Sequence, residues 1–367
     1  MTGFPFPKHE DTLVNLACSL LKRFSLDPPH PTLPLADSLL AGNFRHVALL
    51  VLDGMGSAVL EQHLPEDGFF RSHMAGNIAS TFPPTTVAAT TALQCGLFPI
   101  ETGWLGWECH FPALDKNVVY FRNADRQGNP LPDGRTARDY YPIAHICDRI
   151  REAGFEGDIV SPFVPPCPGD FAGLCARIRE LCLKDAPGFI YAYWPEPDHL
   201  LHSHGCAGAA VGEALREREA QCALLAAGLK DTLLLITADH GHADCRGAMI
   251  TDYPELWECL EKPPSIEPRA MNLFVKASHR PRFEALFQSL FGDVYTLIPR
   301  KEFLDRSLFG LGNPGENVAA MLGDYIAVAT GDFTLYYTEK DRARFKSTHG
   351  GLTEAEMTVP LIAVPCK

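Results

Sequence analysis

The sequence lacks three features that would identify its partners at once: a long apolar run, an excess of basic residues and closely paired cysteines. No stretch of its 367 residues approaches the roughly 18 consecutive apolar residues that a membrane span needs. Lysine and arginine total 32 against 45 aspartates and glutamates, which gives a net charge of −13. Because proteins that follow a nucleic-acid backbone carry basic stripes, we expect neither a nucleic-acid duplex nor a membrane as partner.

The cysteines do not form the framework of a small secreted protein. Twelve of them are spread singly from Cys18 to Cys366, without a Cys-x-x-Cys motif, in a chain long enough to bury a substantial core. The N-terminal residues show no basic segment followed by an apolar one, so no signal peptide is expected. We therefore predict reduced thiols and a cytoplasmic location.

Short apolar runs alternate with helical patterns, and no internal repeat or low-complexity segment interrupts them. The predicted strands are 46–52 (HVALLVL), 188–194 (GFIYAYW) and 232–237 (TLLLIT), with 158–161 as a weaker example. The predicted helices are 141–153, 171–182 and 209–229. This alternation predicts one α/β domain over 1–367, a doubly wound and mostly parallel sheet with helices on both faces.

The sequence pattern changes after Asp244, where several prolines interrupt the alternation of apolar runs and helical patterns. A strand over 271–276, a helix over 281–291 and a strand over 294–298 follow. We interpret roughly 245–320 as a small α+β subdomain inserted into the sheet. Further strands are predicted at 325–329 and 334–337.

Polar residues with metal-ligating side chains follow the apolar runs. Asp53 ends the first strand, and Asp239 and His240 end the run 232–237. Asp198 and His202 lie four residues apart, so that on a helix starting after Pro197 they would share one face. Carboxylate and imidazole together suit Zn²⁺ or Mn²⁺. Ligands of open α/β sheets collect at the carboxyl ends of the strands.

Each of these residues also has a plainer interpretation. An Asp-Gly at a strand end is often only a turn, and Asp198 is a good helix N-cap. His349, which precedes two glycines late in the chain, is alone most often a loop residue. His242 and Asp244 are either partners of the ligands or loop residues, and the sequence does not decide between these.

The segment 80–91 (STFPPTTVAATT) offers a nucleophile. A helix that begins after Pro84 would place Thr85 or Thr86 at its N-terminus, where backbone N–H groups favour an anion. A threonine N-cap is the alternative. With two cations nearby, a threonine hydroxyl can ionise and attack phosphorus.

In order and approximate spacing, these motifs resemble the alkaline phosphatase superfamily, most closely the type I phosphodiesterase/nucleotide pyrophosphatase group. The matching motifs are Asp in LDG, Thr after FPxxT, Asp-xxx-His-xx-Gly, Asp-His-Gly and a late His-Gly. The resemblance selects Thr86, ten residues before Gly96-Leu97, as the nucleophile that forms a covalent phosphothreonine. It also implies two divalent ions, Zn²⁺ or else Mn²⁺. The implied ligands are Asp198, His202 and His349 for one ion and Asp53, Asp239 and His240 for the other.

One departure concerns specificity: the group places an Asn three residues after the nucleophile, where this chain has Ala89. The leading expectation is a phosphodiesterase or pyrophosphatase that acts on a small phosphate ester. The alternatives are a phosphomonoesterase or phosphonate hydrolase on the same metal core, or a non-catalytic protein that binds a phosphate ligand. The leaving group and the oligomeric state are not encoded in any of these motifs.

Overall fold

The structure is a computed structural model that describes residues 5, 6 and 8–367. Its strands are, in chain order, β1 His46–Leu52, β2 Met74–Ala79, β3 Glu108–Phe111, β4 Lys116–Val119, β5 Ala124–Asp125, β6 Glu156–Val160, β7 Gly188–Trp194, β8 Thr232–Thr237, β9 Ala243–Asp244, β10 Arg246–Met249, β11 Ser265–Glu267, β12 Ala270–Leu273, β13 Tyr295–Pro299, β14 Tyr325–Ala329, β15 Phe333–Tyr336, β16 Ser347–Thr348 and β17 Thr358–Cys366.

The helices are α1 Leu13–Arg23, α2 Pro34–Leu40, α3 Ser57–His63, α4 Phe69–Ser72, α5 Thr86–Cys95, α6 Pro99–Thr102, α7 Ala137–Tyr140, α8 Ile146–Glu152, α9 Phe171–Leu181, α10 Asp198–His204, α11 Ala209–Ala227, α12 Pro254–Trp257, α13 Arg280–Phe291, α14 Arg300–Asp305, α15 Val318–Met321, α16 Glu339–Arg344 and α17 Glu354–Met357. Short 3₁₀ turns lie at Tyr120–Arg122, Pro132–Gly134, Ile250–Asp252 and Ala277–His279.

A six-stranded sheet in the order β2-β17-β8-β1-β7-β6 forms the centre of the described chain. Strand β1 pairs in parallel with β7 on one side and β8 on the other, and β6 continues the parallel set beside β7. Every residue of β1 and β8 is buried, as expected of apolar runs inside a covered parallel sheet. The predicted mostly parallel α/β sheet is thus confirmed. The last strand, β17, runs antiparallel between β8 and β2.

Two groups of helices pack on this sheet. Helices α1, α5 and α8 contact one another, and α8 also contacts β6 and β7. In the second group, α11 contacts α3, α9 and α10, and it reaches β17. The apolar faces of both groups join one continuous core with the sheet residues. Helix α8 is shorter than predicted, but Gly154 does end the segment with a positive φ of 91°.

A second, antiparallel sheet has the order β13-β14-β12-β11-β3-β4-β5. The predicted insertion at 245–320 supplies β11, β12 and β13 to it. Strands β3, β4 and β5 come from much earlier in the chain, and β14 follows the insertion. Strands β11 and β3 join the two parts of this sheet through the pairing of Ile266 with Glu108. Because these partners lie about 160 residues apart, local patterning could not reveal that 108–125 belongs to this sheet.

All twelve cysteines fall in the described chain and are free thiols. None of the helices described is both long enough and apolar enough to cross a membrane.

Candidate active site

Three neighbouring strands bring the predicted ligands to one edge of the central sheet. Asp53 follows β1, while Asp198 comes after β7 and Asp239 after β8, the two strands that flank β1. The backbone N–H of Asp198 donates to the Asp53 carbonyl oxygen at 2.9 Å. Gly54 has a φ of +75°, and a Cβ there would lie 2.9 Å from the Cα of Asp198. The Asp-Gly pair therefore permits the close approach of these two loops.

Asp53, Asp239 and His240 form the first group, here called the Asp53 cluster. Nε2 of His240 lies 3.3 Å from Oδ1 of Asp53 and 3.6 Å from Oδ2 of Asp239. Both of these carboxylate oxygens are buried and have no hydrogen-bond partner within the described chain. The Tyr193 hydroxyl donates to the other oxygen of Asp53, and Gly54 N–H donates to the other oxygen of Asp239 at 3.1 Å. Two buried, unpartnered carboxylate oxygens beside an imidazole nitrogen fit a divalent cation.

The second group of candidate ligands is Asp198, His202, His242 and His349. The three of them that the resemblance implies, Asp198, His202 and His349, are here called the Asp198 cluster. Helix α10 begins at Asp198, as predicted, and therefore carries Asp198 and His202 on one face. Oδ1 of Asp198 lies 3.3 Å from Nε2 of His202 and 3.7 Å from Nε2 of His349. Ligand atoms around one tetrahedral ion with bonds of about 2.0–2.1 Å lie roughly 3.3 Å apart. These separations therefore fit a shared ion.

The three candidate ligand histidines are oriented alike. Each places Nδ1 at hydrogen-bond distance from a backbone carbonyl oxygen. The pairs are His202 with Ser347 at 2.9 Å, His240 with Gly241 at 3.1 Å and His349 with Pro84 at 3.2 Å. A carbonyl can only accept, so Nδ1 carries a proton, and Nε2 is the ring nitrogen that could bind a metal ion. Such outer hydrogen bonds are typical of metal-ligating histidines.

His242, which the sequence left undecided, lies beside the Asp198 cluster. Its Nε2 is 2.7 Å from Oδ1 of Asp198, and its Nδ1 is 3.1 Å from the Ser347 hydroxyl. A separation of 2.7 Å is shorter than expected between two ligands of one ion and suits a direct hydrogen bond. The geometry therefore favours His242 as a donor that orients Asp198. The DHGHAD motif contained this signal, but sequence alone did not show which side chain His242 would meet.

The two threonines at the start of α5 have different surroundings. Thr85 is 1% exposed, and its hydroxyl donates to Oε1 of Glu267 at 2.6 Å. Thr86 is half-buried, and its Oγ1 lies 3.2 Å from Nε2 of His240. Thr86 therefore faces a candidate ligand atom, Nε2 of His240, whereas Thr85 is fixed to the second sheet.

Glu267 was not anticipated from the sequence. It ends β11, and its Oε1 also accepts a 2.7 Å hydrogen bond from the Trp107 backbone N–H. Burial raises the pKa of its carboxyl to about 7. Nothing in the local sequence distinguishes it, because its role arises from the pairing of two sheets. Trp107, 39% exposed, packs edge-on against Phe121 at this side of the site.

Burial and neighbouring charges shift the pKa values of the two clusters in opposite directions at His240 and Asp198, and in the same direction at Asp239. Burial raises the pKa of the Asp239 carboxyl well above its usual range, and the neighbouring Asp53 carboxylate adds to this effect. Burial lowers the pKa of His240, but the Asp239 and Asp53 carboxylates outweigh it and raise that pKa to about 10. For Asp198, burial acts to raise the pKa, while the His202 and His242 imidazoles hold it well below its usual range. Bound cations would be the largest local charges and would stabilise all these carboxylates.

Comparisons with known proteins identify the family of this chain. The family model for type I phosphodiesterase / nucleotide pyrophosphatase matches residues 47–352. The chain therefore belongs to that family and is a hydrolase of the phosphodiesterase type. No curated protein matches the sequence significantly.

Solved structures with the same fold include human ectonucleotide pyrophosphatase / phosphodiesterase 5, with a TM-score of 0.65 and 18% identity over 86% of this chain and 87% of that one. An inactive threonine-to-alanine variant of the murine enzyme in complex with AMP has a TM-score of 0.63 and 17% identity over the same shares. Phosphonoacetate hydrolase from Sinorhizobium meliloti 1021, in complex with phosphonoformate, has a TM-score of 0.65 and 16% identity over 88% of this chain and 90% of that one.

Proposed function

We propose that this protein hydrolyses a phosphodiester or pyrophosphate bond of a small substrate, with Thr86 as nucleophile between two divalent cations. The observation that carries the proposal is the position of Thr86 Oγ1, 3.2 Å from His240 Nε2 and at the N-terminus of α5. Helix N-terminal N–H groups favour an anion there. The inactive threonine-to-alanine variant of the murine relative supports a threonine nucleophile.

In this proposal, Asp198, His202 and His349 hold one ion, and the Asp53 cluster holds the other. The mixed carboxylate and imidazole donors suit Zn²⁺ best and Mn²⁺ second. When bound, the two ions would neutralise the phosphoryl oxygens and favour ionisation of the attacking hydroxyl.

Thr86 then takes part in two steps. Thr86 Oγ1 loses its proton and bonds to phosphorus while the bond from phosphorus to the leaving oxygen breaks, which gives a phosphothreonine. The leaving oxygen takes up a proton, and its group departs as an alcohol or a phosphate. Water hydrolyses this ester and restores the hydroxyl. Thr85 does not take this part, because its hydroxyl already donates to Glu267.

The charges near Thr86 favour a diester over a monoester. A monoester dianion carries an extra charge, which Arg or Lys commonly meets. No Lys or Arg occurs between Arg71 and Lys116. Two basic residues from elsewhere in the chain could reach the pocket, Arg246 and Lys346. Arg246 pairs with Asp332, whereas Lys346 is exposed and is bonded through its backbone N–H to the His202 carbonyl oxygen.

A phosphonate is the second candidate substrate class, because phosphonoacetate hydrolase shares the fold over most of both chains. Ala89, at the position where the resemblance implies an Asn, is fully buried in the core and therefore offers no contact to a phosphoryl oxygen. We further propose that 1–367 acts as one catalytic domain in the cytoplasm, where the free thiols of the described chain would stay reduced.

The test is to compare kcat/KM for an aryl phosphodiester, the matching monoester and phosphonoacetate, each with Zn²⁺ and with Mn²⁺. We expect the diester to be preferred and turnover to require metal. A tenfold preference for the monoester, about 1.4 kcal/mol in transition-state binding, would instead establish a phosphatase. A preference for phosphonoacetate would establish the phosphonate class.

A further inference from the structure

A fully buried ion pair links the second sheet to the loops that carry the ligands. The Arg269 guanidinium donates from Nε to Oε1 of Glu356 at 2.6 Å and from Nη2 to Oε2 at 2.7 Å. Both side chains are 0% exposed. Arg269 also donates to the carbonyl oxygens of Phe333 at 3.1 Å and Gly331 at 2.8 Å. The arginine is thus held in one orientation just before β12.

Glu356 bonds to the backbone next to a candidate ligand of each cluster. Its Oε1 accepts a 2.8 Å hydrogen bond from the N–H of Gly351, two residues after His349. Its backbone carbonyl accepts a 2.8 Å hydrogen bond from the N–H of Gly241, the residue after His240. One residue therefore contacts both the His349 loop and the His240 loop.

The backbone packs so closely around Gly241 that no side chain would fit there. A Cβ at Gly241 would collide with the carbonyl oxygen of Ala355, and it would lie 3.2 Å from the Cα of Gly56. The His240 loop is thus held by main-chain contacts. The His349 loop is held by the Glu356 carboxylate, which also accepts a 2.6 Å hydrogen bond from the Thr353 hydroxyl, and by a 2.8 Å hydrogen bond from the Leu352 N–H to the Ala329 carbonyl oxygen. Gly351 is thus bonded to a side chain, whereas Gly241 is bonded to main chain only.

We propose that Glu356, anchored by Arg269, is a positioning residue that fixes His349 relative to His240 and so sets the affinity of the Asp198 cluster for its ion. The inference rests on the proposed two-metal function. Stability alone explains the pair poorly, because well-packed apolar residues often replace a buried ion pair without loss of stability. The pair instead supplies a fixed acceptor at Gly351, which an apolar side chain cannot do.

The test uses a double variant, Arg269→Met with Glu356→Met, which leaves no lone buried charge. We expect the metal-free double variant to melt within about 5 °C of the metal-free wild type. Competition with a chelator should show one Zn²⁺ held as in the wild type and the other about 10–100-fold more weakly. The readout is metal affinity at each site, which a merely stabilising pair would not change selectively.

Two further variants sharpen the test. Glu356→Gln keeps a carbonyl oxygen that can accept from the Gly351 N–H. Its Asp198 cluster should therefore lose less affinity for Zn²⁺ than the Asp198 cluster of the double variant. The double variant Arg126→Met with Glu108→Met removes another pair on the second sheet, 2.9 Å apart, and should leave both affinities unchanged.

The outcomes separate this inference from the proposed function. A wild type that binds fewer than two ions would overturn both. A folded double variant that holds two ions as tightly as the wild type would overturn the positioning role alone, as would equal weakening of both sites. If the double variant does not fold, Glu356→Gln decides: it must weaken only one site, and unchanged affinities or equal weakening of both would refute the role.

Discussion

The Asp53 cluster and the Asp198 cluster share one edge of the sheet but differ in charge and burial. The Asp53 cluster combines two carboxylates with one imidazole, and the side chains of Asp239 and His240 are 0% exposed. The Asp198 cluster has one carboxylate and two imidazoles, and its side chains are 10–18% exposed. A bound cation would therefore offset more buried negative charge in the first cluster, whereas the carboxylate of the second is already stabilised by its own histidines.

The largest expected effect comes from the cluster that depends most on its cation. Asp239→Asn removes a buried ligand oxygen, so turnover should fall at least about a thousandfold. The same change should stabilise the metal-free protein by at least about 1 kcal/mol, because it removes a carboxyl whose charged form is disfavoured by burial and by the neighbouring Asp53 carboxylate. Thermal melts with and without Zn²⁺, together with kcat, measure both effects. A metal-free Asp239→Asn variant that is less stable than the metal-free wild type would contradict the claim that the Asp53 cluster is the less stable of the two without a cation.

The next effect belongs to the Asp198 cluster. His242→Gln weakens the hydrogen bond that orients Asp198, and it should lower the affinity of one ion about 10–100-fold while the other ion stays in place. Chelator competition reads this directly. The control is His199→Gln on the same helix, since His199 faces outward and contacts Arg344 instead of the ligands. Loss of both ions would mean that the two clusters do not bind independently.

The smallest effect concerns Glu267, a buried carboxyl outside both clusters. Its raised pKa, about 7 through burial, means that the folded state holds a proton that the unfolded state releases near pH 4.5. Its contribution to stability is thus present below pH 4.5 and is lost as pH rises towards 7. Glu267→Gln should therefore gain stability relative to wild type between pH 5 and 8, by on the order of 2 kcal/mol.

The control for the Glu267→Gln prediction is to repeat the stability measurement with and without Zn²⁺. The relative gain of Glu267→Gln should be the same with and without Zn²⁺, in contrast to that of Asp239→Asn. Denaturant unfolding at several pH values provides the measurement. A difference that does not change with pH would show that the Glu267 carboxyl is charged throughout.

The sequence predicted the central sheet well because its strands are short apolar runs with polar ends. The bounds 46–52, 188–194 and 232–237 match the structure. Asp53, Asp198 and Asp239 could be found for the same reason, since each follows a strand or opens a helix. His349 is selected only by the resemblance to a family. What could not be predicted depends on pairing over long distances. Examples are the direction of β17, the place of β3 in the second sheet and the contact between Glu267 and Thr85.

The most direct test of the proposed chemistry compares Thr86→Ala with Thr85→Ala, both loaded with metal. We expect Thr86→Ala to lose at least about a thousandfold in kcat on an aryl phosphodiester while keeping two ions per chain, because the covalent path is removed. Thr85→Ala should lose less than about tenfold, since it gives up one hydrogen bond to Glu267. A Thr86→Ala enzyme that retains most of its turnover, or a Thr85→Ala enzyme that is inactive with both ions bound, would contradict Thr86 as the nucleophile.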